Sequence, residues 1–314
     1  MPAPLPTPLP TPLFGKIAII GLGLIGSSIA WAARRENLAE RIVGYDASED
    51  VRGRARTIGF AHIIADDVAA CVDDADLVIL CAPVGAYKSI AAAAAPHLKP
   101  GAILSDVGSV KGAVVRDVGP LVPQGVHFIP AHPIAGTEFS GPEAGFATLF
   151  DGRWAILTPL PGADAGAVGR LKAFWQGLGS QVDVMDAAHH DLVLAITSHL
   201  PHLIAYNIVG TAHDLEAVTE GEVIKYSASG FRDFTRIAAS DPTMWRDVFL
   251  NNREAVLEVL GRFNEDLSIL QRAVREGDGQ TLFDTFSRTR AIRRAIIEMG
   301  QESPAPNFGR DSKQ

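Results

Sequence analysis

The sequence predicts an α/β fold in which a doubly wound, mostly parallel sheet is followed by an all-helical region. Up to Asp186, short apolar runs alternate with helical patterns, and a glycine-rich turn joins the first run to the first helix. Beyond Asp186 the pattern is helical throughout. The 314 residues are enough for two domains. We expect domains at residues 15–186 and 187–300, with disordered tails at 1–14 and 301–314.

The first repeating unit spans residues 16–46. An apolar run at 17–20 predicts a buried strand, residues 27–35 predict a helix, and residues 42–45 predict a second strand that ends at Asp46. Between them the glycines have the spacing G-x-G-x-x-G. Gly21 permits a tight turn, Gly23 lets the backbone approach a pyrophosphate, and Gly26 allows close packing of helix on strand.

The helix that follows these glycines would direct its N-terminus at an anion. Asp46 lies about twenty residues beyond the last glycine, where an acid binds a ribose hydroxyl. The unit therefore predicts a Rossmann-type dinucleotide site; the alternative is a glycine-rich turn in another kind of α/β protein. We expect the cofactor to contact Gly21, Gly23, Leu24, Ile25, Gly26 and Asp46.

Composition narrows the class of protein. The net charge is 28 − 36 = −8 without a block of basic residues, so we expect no nucleic-acid partner. Cys71 and Cys81 cannot form a disulfide framework, which indicates a reducing, cytoplasmic location. No apolar run approaches the roughly 18 residues of a membrane span, so no membrane partner is expected. The alternating prolines of residues 2–12 predict a polyproline-like tail, or else a docking peptide.

Apolar runs predict further strands at residues 77–82, 102–106, 126–130, 154–158 and 181–185, with helices between them at 48–58, around 91–95 and at 165–178. In the second half, residues 191–212 are helical in pattern, and Pro201 should kink or break that helix. Asp241 and Pro242 start a helix that should reach about residue 276, and residues 281–299 predict another. Apolar residues from Val256 to Leu270 form a seam for a further helix.

Two loops at the carboxyl ends of predicted strands carry candidate catalytic residues. Ser109 and Lys111 follow one strand, and His132 follows the next. In an open parallel sheet the ligand lies at these ends. A histidine there can accept a proton from a hydroxyl while hydride leaves the same carbon. The alternatives are a histidine that caps backbone groups and a serine that serves only the turn.

The helical half contains two more polar clusters. His199 and His202 lie three residues apart, with His189 and His190 nearby, and this pattern could bind a metal. Pro201 disturbs the helical spacing, however, and no cysteine or close carboxylate pair completes the site. We therefore expect no metal, and interpret these histidines as hydrogen-bond donors lining a cleft. Arg232 and Arg236 suit recognition of a carboxylate; the alternative is a surface ion-pair network.

Together these motifs resemble the prephenate/arogenate (cyclohexadienyl) dehydrogenase family. The blocks are GLGLIG, the Ser109 loop, HPIAGTE from His132, SHLPH from Ser198 and GFRDFTRIAASDPTMWRD from Gly230, in that order, over residues 16–299. The resemblance implies an α/β Rossmann-type doubly wound parallel sheet followed by an all-α helical dimerisation domain. We expect no fused chorismate mutase, because the chain has no room for one before Lys16, and no regulatory domain, because too few residues follow Met299.

The resemblance further implies the NAD-dependent oxidative decarboxylation of prephenate or arogenate on the way to tyrosine, by a homodimer. His132 would be the general base, with Ser109 bonded to it, to the substrate hydroxyl or to the cofactor. Arg236 would bind the ring carboxylate, and His202, with His199 behind it, would face the substrate side chain. The other substrate-binding residues implied are Thr137, Glu138, Asp233 and Trp245.

Two other classes stay open at this point. A 3-hydroxyacid dehydrogenase would carry a lysine where this chain has SHLPH, and a non-catalytic NAD sensor would not need Ser109, His132 and Arg236. The preference between prephenate and arogenate, the strictness for NAD, feedback inhibition by tyrosine and the role of the proline-rich tail are not fixed by the sequence.

Overall fold

The structure, a computed structural model, describes residues 12–137, 139–216, 226 and 228–298. Backbone packing divides the chain into two units, Met1–Val256 and Leu257–Gln314. The predicted domain boundary after Asp186 does not coincide with this division and stays a prediction. The predicted tails lie outside the described residues except for residues 12–14. Of these, Leu13 packs against the core, and Phe14 begins the first strand and is buried.

The strands are β1 (Phe14–Ile20), β2 (Ala39–Tyr45), β3 (Ile63–Ile64), β4 (Leu77–Leu80), β5 (Ile103–Asp106), β6 (His127–Phe128), β7 (Ala131–Pro133), β8 (Trp154–Leu157) and β9 (Gln181–Val184). The α-helices are α1 (Leu24–Arg35), α2 (Glu49–Ile58), α3 (Val68–Val72), α4 (Tyr87–Ala94), α5 (Lys111–Val118), α6 (Ala165–Gly177), α7 (Ala187–Leu194), α8 (Leu200–Glu216), α9 (Ser229–Thr235), α10 (Pro242–Asn251), α11 (Arg253–Glu276) and α12 (Gly279–Glu298).

The predicted parallel sheet is confirmed. Its strand order is β3-β2-β1-β4-β5-β6, and every pairing is parallel. Ile17 in β1 pairs with Ile42 on one side and Leu77 on the other, and all three are fully buried because helices cover both faces. The strand order reverses between β1 and β4, so a ligand crevice opens there at the carboxyl ends of the strands.

A second, three-stranded sheet was not predicted. Its order is β7-β8-β9, with β7 antiparallel to β8. The apolar run predicted as one strand at 126–130 ends in the first sheet at Phe128, and the chain enters the second sheet at Ala131. The expectation that His132 lies in a loop was therefore wrong. It lies in β7, opposite Ile156, because antiparallel pairing extends the chain beyond the end of β6.

Pro201 does not break the helix in which it lies. Helices α7 and α8 are continuous through a π-helical turn at Ala195–His199. A π turn shifts the backbone hydrogen bonds to a longer spacing, and proline is tolerated where its missing N–H has no helical partner to lose. The helical stretch Ala187–Leu215 is long and apolar enough, by length and composition alone, to cross a membrane. This corrects the expectation that no apolar stretch of that length exists.

The helix predicted from Pro242 to about residue 276 is two helices. It ends at Asn251, and α11 starts at Arg253. Asn252 between them has φ −108° and ψ 33°, outside helical geometry. Its side chain donates to the backbone oxygen of Asp191 at 2.8 Å, a bond to a distant segment that the local pattern did not reveal.

The unit Leu257–Gln314 contains most of α11 and all of α12. Several large apolar side chains on these helices are about half exposed or more. They are Leu257, Leu267, Ile269, Val274, Phe283, Phe286, Ile292 and Ile297.

Candidate active site

The glycine turn between β1 and α1 has the geometry of a dinucleotide cradle. Gly21 has φ +102°, and a Cβ there would lie 2.6 Å from the carbonyl of Cys81. A Cβ on Gly26 would lie 2.0 Å from the oxygen of Gly21, so only glycine allows the helix this close to the turn. Around Gly23, by contrast, the space for a Cβ is open. The turn therefore presents bare backbone where a pyrophosphate would bind.

Asp46 lies beside this cradle, directly after β2. One carboxylate oxygen accepts from the backbone N–H of Leu22 at 2.9 Å, and the other accepts from Ser48 at 2.9 Å. These bonds hold the acid next to the turn, where the ribose of a bound dinucleotide lies. The residues present therefore fit NAD, with Leu24 and Ile25 in the first turn of α1.

A buried ion pair joins the end of β5 to the start of β7. Asp106 ends β5, and its carboxylate accepts from the Lys111 ammonium and from the backbone N–H groups of Gly108 and Ala131. Lys111 also donates to the oxygen of Ala131 at 2.6 Å. Both side chains are fully buried. The pair thereby fixes the residue before His132 against the loop that carries Ser109.

His132 is the first member of a chain of three polar side chains. Its Nδ1 lies 2.9 Å from His190 Nε2, and His190 Nδ1 lies 2.8 Å from an Asp191 carboxylate oxygen. Asp191 also accepts from the backbone N–H groups of Lys111 and Gly112, at 2.7 and 2.8 Å. Because these are the first two residues of α5, Asp191 caps a helix about eighty positions earlier in the chain.

Burial keeps His132 uncharged. Desolvation lowers its pKa well below the usual 6.5, and the nearby Lys111 ammonium lowers it further. Burial also lowers the pKa of His190, although its hydrogen bond to Asp191 acts in the opposite direction. Both imidazoles are therefore neutral at pH 7, the state in which a histidine can accept a proton.

His199 lies in the π turn and is held by Asn252. Asn252 Nδ2 lies 3.1 Å from His199 Nδ1 and also donates to the Asp191 carbonyl. A carbonyl only accepts, so this amide group is the NH₂, and His199 Nδ1 must accept from it. Burial lowers the pKa of His199 to about 4. The neutral ring therefore carries its proton on Nε2, which is buried and lacks a hydrogen-bond partner among the described residues.

Trp245 packs against both histidines of the SHLPH block. His202 stacks on its ring with centroids 3.7 Å apart, and His199 meets it edge-on at 6.1 Å. His202 Nδ1 donates to the carbonyl of Ser198 at 2.8 Å, which leaves Nε2 of the neutral ring as an acceptor. The indole N–H of Trp245 is a second buried donor without a partner among the described residues.

Arg236 begins the short helical turn Arg236–Ala239 after α9. Desolvation is the main cause that lowers the pKa of His202, and the charge of Arg236 contributes, so the guanidinium acts on this cluster. The Tyr206 hydroxyl, on α8, donates to the oxygen of Ser240 at 2.7 Å. This bond fixes the segment after Arg236 to the helix that carries His202.

The remaining predicted site residues have few described contacts with the histidine clusters. Ser109 is half-buried in the loop between β5 and α5, and Thr137 is half-buried in the segment after β7. The Thr137 hydroxyl accepts from the N–H of Phe139 at 3.2 Å. Asp233 is exposed on α9, and Glu138 lies outside the described residues. No group of three metal-binding side chains occurs among the residues that the structure describes.

Several residues that build the site were missed or misinterpreted from the sequence. The sequence pattern places Asp106 at the end of a strand, Asp191 at the start of a helix and Asn252 inside a helix, and it gives none of them a role in the site. His190 was considered only as a possible metal ligand, and Lys111 was noted without a role. One feature of the sequence could have indicated a buried ion pair. Asp106 ends an apolar strand of the kind that is buried on both faces, and a buried charge requires a partner.

Comparison with known proteins identifies the family. Residues 29–184 match the nucleotide-binding domain of prephenate dehydrogenase, and residues 186–288 match its dimerization domain. The cyclohexadienyl dehydrogenase of Zymomonas mobilis is 44% identical over 90% of this chain and 97% of its own. The prephenate dehydrogenase of Bacillus subtilis is 32% identical over 93% of this chain and 78% of its own.

Solved structures of prephenate and arogenate dehydrogenases are similar to this chain over most of its length. Aquifex aeolicus prephenate dehydrogenase, in complex with hydroxyphenyl propionate and NAD⁺, is 34% identical with a TM-score of 0.82, over 90% of this chain and 98% of that one. Synechocystis arogenate dehydrogenase is 26% identical with a TM-score of 0.76, over 90% and 99%. The glycine turn after β1 and the buried ion pair after β5 lie at the same edge of the parallel sheet. With these matches, the chain belongs to the prephenate/arogenate dehydrogenase family of NAD-dependent oxidoreductases.

Proposed function

We propose that this dehydrogenase acts on both prephenate and arogenate, and that His132 is the general base. The observation that carries the second point is the environment of His132. It is buried, neutral and bonded through Nδ1 to His190, so Nε2 is the nitrogen left to meet a substrate hydroxyl. A general base must lie within hydrogen-bond reach of the proton that it accepts and must be unprotonated, and the neutral ring of His132, whose Nδ1 is bonded to His190, meets the second requirement.

In the proposed reaction the substrate loses a proton from its ring hydroxyl and a hydride from the carbon that bears this hydroxyl. His132 Nε2 takes the hydroxyl proton, and the C–H bond breaks with its electron pair. Bound NAD⁺ supplies the acceptor for that hydride. The ring carboxylate then leaves as CO₂, its bonding electrons make the ring aromatic, and the new phenolic oxygen takes back a proton from His132. Ser109 is proposed to hydrogen-bond the same hydroxyl, because His132 Nδ1 is already engaged by His190.

Arg236 is proposed to bind the ring carboxylate. A guanidinium can hold a carboxylate through two parallel hydrogen bonds, and it acts on the same cluster as His202. Asp233, Thr137 and Glu138 remain proposed lining residues of this cleft, on the basis of the family resemblance.

The side chains near His202 support use of both substrates. Prephenate and arogenate differ only where one has a side-chain ketone and the other an ammonium. His199 Nε2 and Trp245 Nε1 are buried donors that suit a ketone or a carboxylate. His202 Nε2 is a neutral acceptor that suits an ammonium. Strict discrimination would need a full charge directed at the ketone or at the ammonium. The side chains of His199, His202 and Trp245 are all uncharged.

Steady-state kinetics on the two purified acids, with NAD⁺ and detection of NADH, test this proposal. We expect kcat/KM values within about tenfold of each other, since a single hydrogen bond contributes on the order of 1 kcal/mol. A preference above about a hundredfold for either acid would mean that a side-chain contact outside this cluster decides specificity. Absence of NADH formation with both would reject the proposed function.

We also propose a homodimer formed through the helical region, with the reaction in the cytoplasm. The matched dimerization-domain family and the half-exposed apolar side chains of α11 and α12 support the dimer. Both cysteines are free thiols, which supports a reducing compartment.

Light scattering tests the dimer. We expect twice the chain mass of 33.4 kDa at micromolar concentration. Phe283→Asp and Phe286→Asp together should shift the mass to that of one chain, whereas Ile63→Asp, at a half-exposed apolar residue of β3, should not. A single-chain mass for the unsubstituted protein would contradict the dimer.

A further inference from the structure

Two buried side chains, His190 and Asp191, continue the hydrogen-bonded chain that begins at His132, and the proposed function gives them no role. His190 and Asp191 are consecutive residues of α7, and both are buried. His190 is fully inaccessible to solvent, so it cannot be explained as a surface histidine. It has no place in the proposed contacts with substrate or cofactor, yet both of its ring nitrogens are engaged.

The direction of each hydrogen bond follows from Asp191. Each carboxylate oxygen accepts a backbone N–H, one from Lys111 and one from Gly112. A carboxylate in this setting is an acceptor, so His190 Nδ1 must donate to it. The desolvation that lowers the pKa of His190 keeps the ring neutral, and its Nε2 therefore has a lone pair and no proton.

That lone pair determines the tautomer of His132. The facing atom, His132 Nδ1, lies 2.9 Å from it and must carry the proton that fills this bond. Neutral His132 has only one ring proton, so its Nε2 is left unprotonated. In the opposite tautomer two lone pairs would face each other in a buried site, which is strongly unfavourable.

We propose that Asp191 and His190 act as a positioning pair that fixes His132 in the tautomer with a free Nε2 and holds its ring toward the substrate hydroxyl. This inference rests on the proposed role of His132 as the base. The pair plays the part that a buried carboxylate plays behind a histidine base in other enzymes, extended here by one imidazole. Neither residue touches the substrate.

Because Asp191 also caps α5, the pair connects three elements. It joins α7, which carries His190, to the first turn of α5 and to β7. The backbone oxygen of Asp191 accepts from Asn252, which in turn donates to His199. Asp191 therefore orients His132 through His190, and it orients His199 through Asn252.

Substitutions at His190 separate positioning from mere packing. His190→Phe fills a similar volume but cannot accept from His132. We expect kcat to fall by about 10-fold or more, because the orienting partners of metal-bound histidines contribute about 10- to 100-fold and a carboxylate behind a histidine base contributes up to about 10⁴-fold. The KM for NAD⁺ should be unchanged. His190→Gln offers a carbonyl oxygen near the original Nε2 and should restore kcat to within about tenfold of the unsubstituted enzyme. His189→Phe, at the neighbouring exposed histidine, is the matched control and should leave kcat unchanged.

A double-substitution cycle provides a readout that packing would not move. If the pair acts through His132, adding His190→Phe to His132→Ala should cause no further loss of kcat. A double variant slower than His132→Ala by the full factor of His190→Phe would overturn the proposal. Normal kcat in a folded His190→Phe variant would overturn it too.

The tautomer of His132 can also be measured directly, without an activity assay. In protein with ¹⁵N-labelled histidines, long-range proton–nitrogen spectra distinguish a protonated Nδ1 from a protonated Nε2, and His132→Ala identifies the signals. We expect Nδ1–H for His132 in the unsubstituted protein. Nε2–H would reject the positioning pair even if His190→Phe fails to fold. If the spectra show Nδ1–H but neither acid is oxidised, the proposed function fails while the pair stands.

Discussion

Lys111 and Asp106 form a fully buried ion pair at the carboxyl edge of the parallel sheet. Asp106 ends β5, and Lys111 opens α5 and also donates to the backbone oxygen of Ala131. The pair therefore connects the first sheet to β7, the strand of His132. Its removal should affect stability and the position of the base together.

We predict that Lys111→Met destabilises the protein by about 3–5 kcal/mol, because it leaves the Asp106 carboxyl buried without its partner. Urea unfolding followed by circular dichroism measures this. Lys99→Met, which breaks ion pairs with Asp74 and Asp76 near the surface, is the control and should cost no more than about 1 kcal/mol for each pair. Equal effects of the two substitutions would show that burial of the Lys111 pair is unimportant.

His132→Ala should lower kcat by roughly 10²–10⁴, the usual range for loss of a general base, with little change in NAD⁺ affinity. The pKa of His132 is lowered by burial and by Lys111, so the ring loses its proton at unusually low pH. The rate should rise with pH through this lowered pKa and be level around neutrality, since only the neutral form accepts a proton. A pH profile of kcat/KM checks this, and a rising limb centred above pH 7 would contradict it.

Arg236→Lys and Arg236→Gln should raise the KM for prephenate about tenfold or more while the KM for NAD⁺ stays the same. A point charge does not replace the planar guanidinium fork, and a charge-assisted hydrogen bond contributes about 1.5–3 kcal/mol. Arg262→Gln, at an exposed arginine paired with Glu258, serves as the control. An unchanged KM in both Arg236 variants would remove this residue from the substrate site.

NAD⁺ should be preferred over NADP⁺, because the Asp46 carboxylate would repel a ribose 2′-phosphate. Asp46→Ser should lower the NAD⁺/NADP⁺ ratio of kcat/KM by about tenfold or more. Arg52, whose guanidinium donates to the backbone oxygen of Asp46 at 2.8 Å, is close enough to receive the added phosphate. Asp50→Ser removes another acid of the same segment and should leave the ratio unchanged. Comparable kcat/KM for both cofactors in the unsubstituted enzyme would refute the preference.

The parallel sheet and the cofactor cradle could be predicted from the sequence because they depend on local patterns. Buried parallel strands are continuous apolar runs, and the turn at Gly21 and Gly26 needs glycine at fixed spacing. The family could be predicted as well, since long blocks such as HPIAGTE are carried by the chain itself. The roles of Ser109, His132 and Arg236 were inferred through those blocks and remain predictions.

The partners of the site residues were decided by the tertiary structure alone. His132 and His190 are 58 positions apart, and Lys111 and Asp191 are 80 apart. Their contact depends on how α7 packs against α5 and β7, which no local pattern specifies. The π turn at Ala195–His199, which keeps the helix continuous through Pro201, and the break at Asn252 likewise follow from packing. The sequence by itself determined which chemical groups the protein carries, whereas long-range packing decided which of them meet.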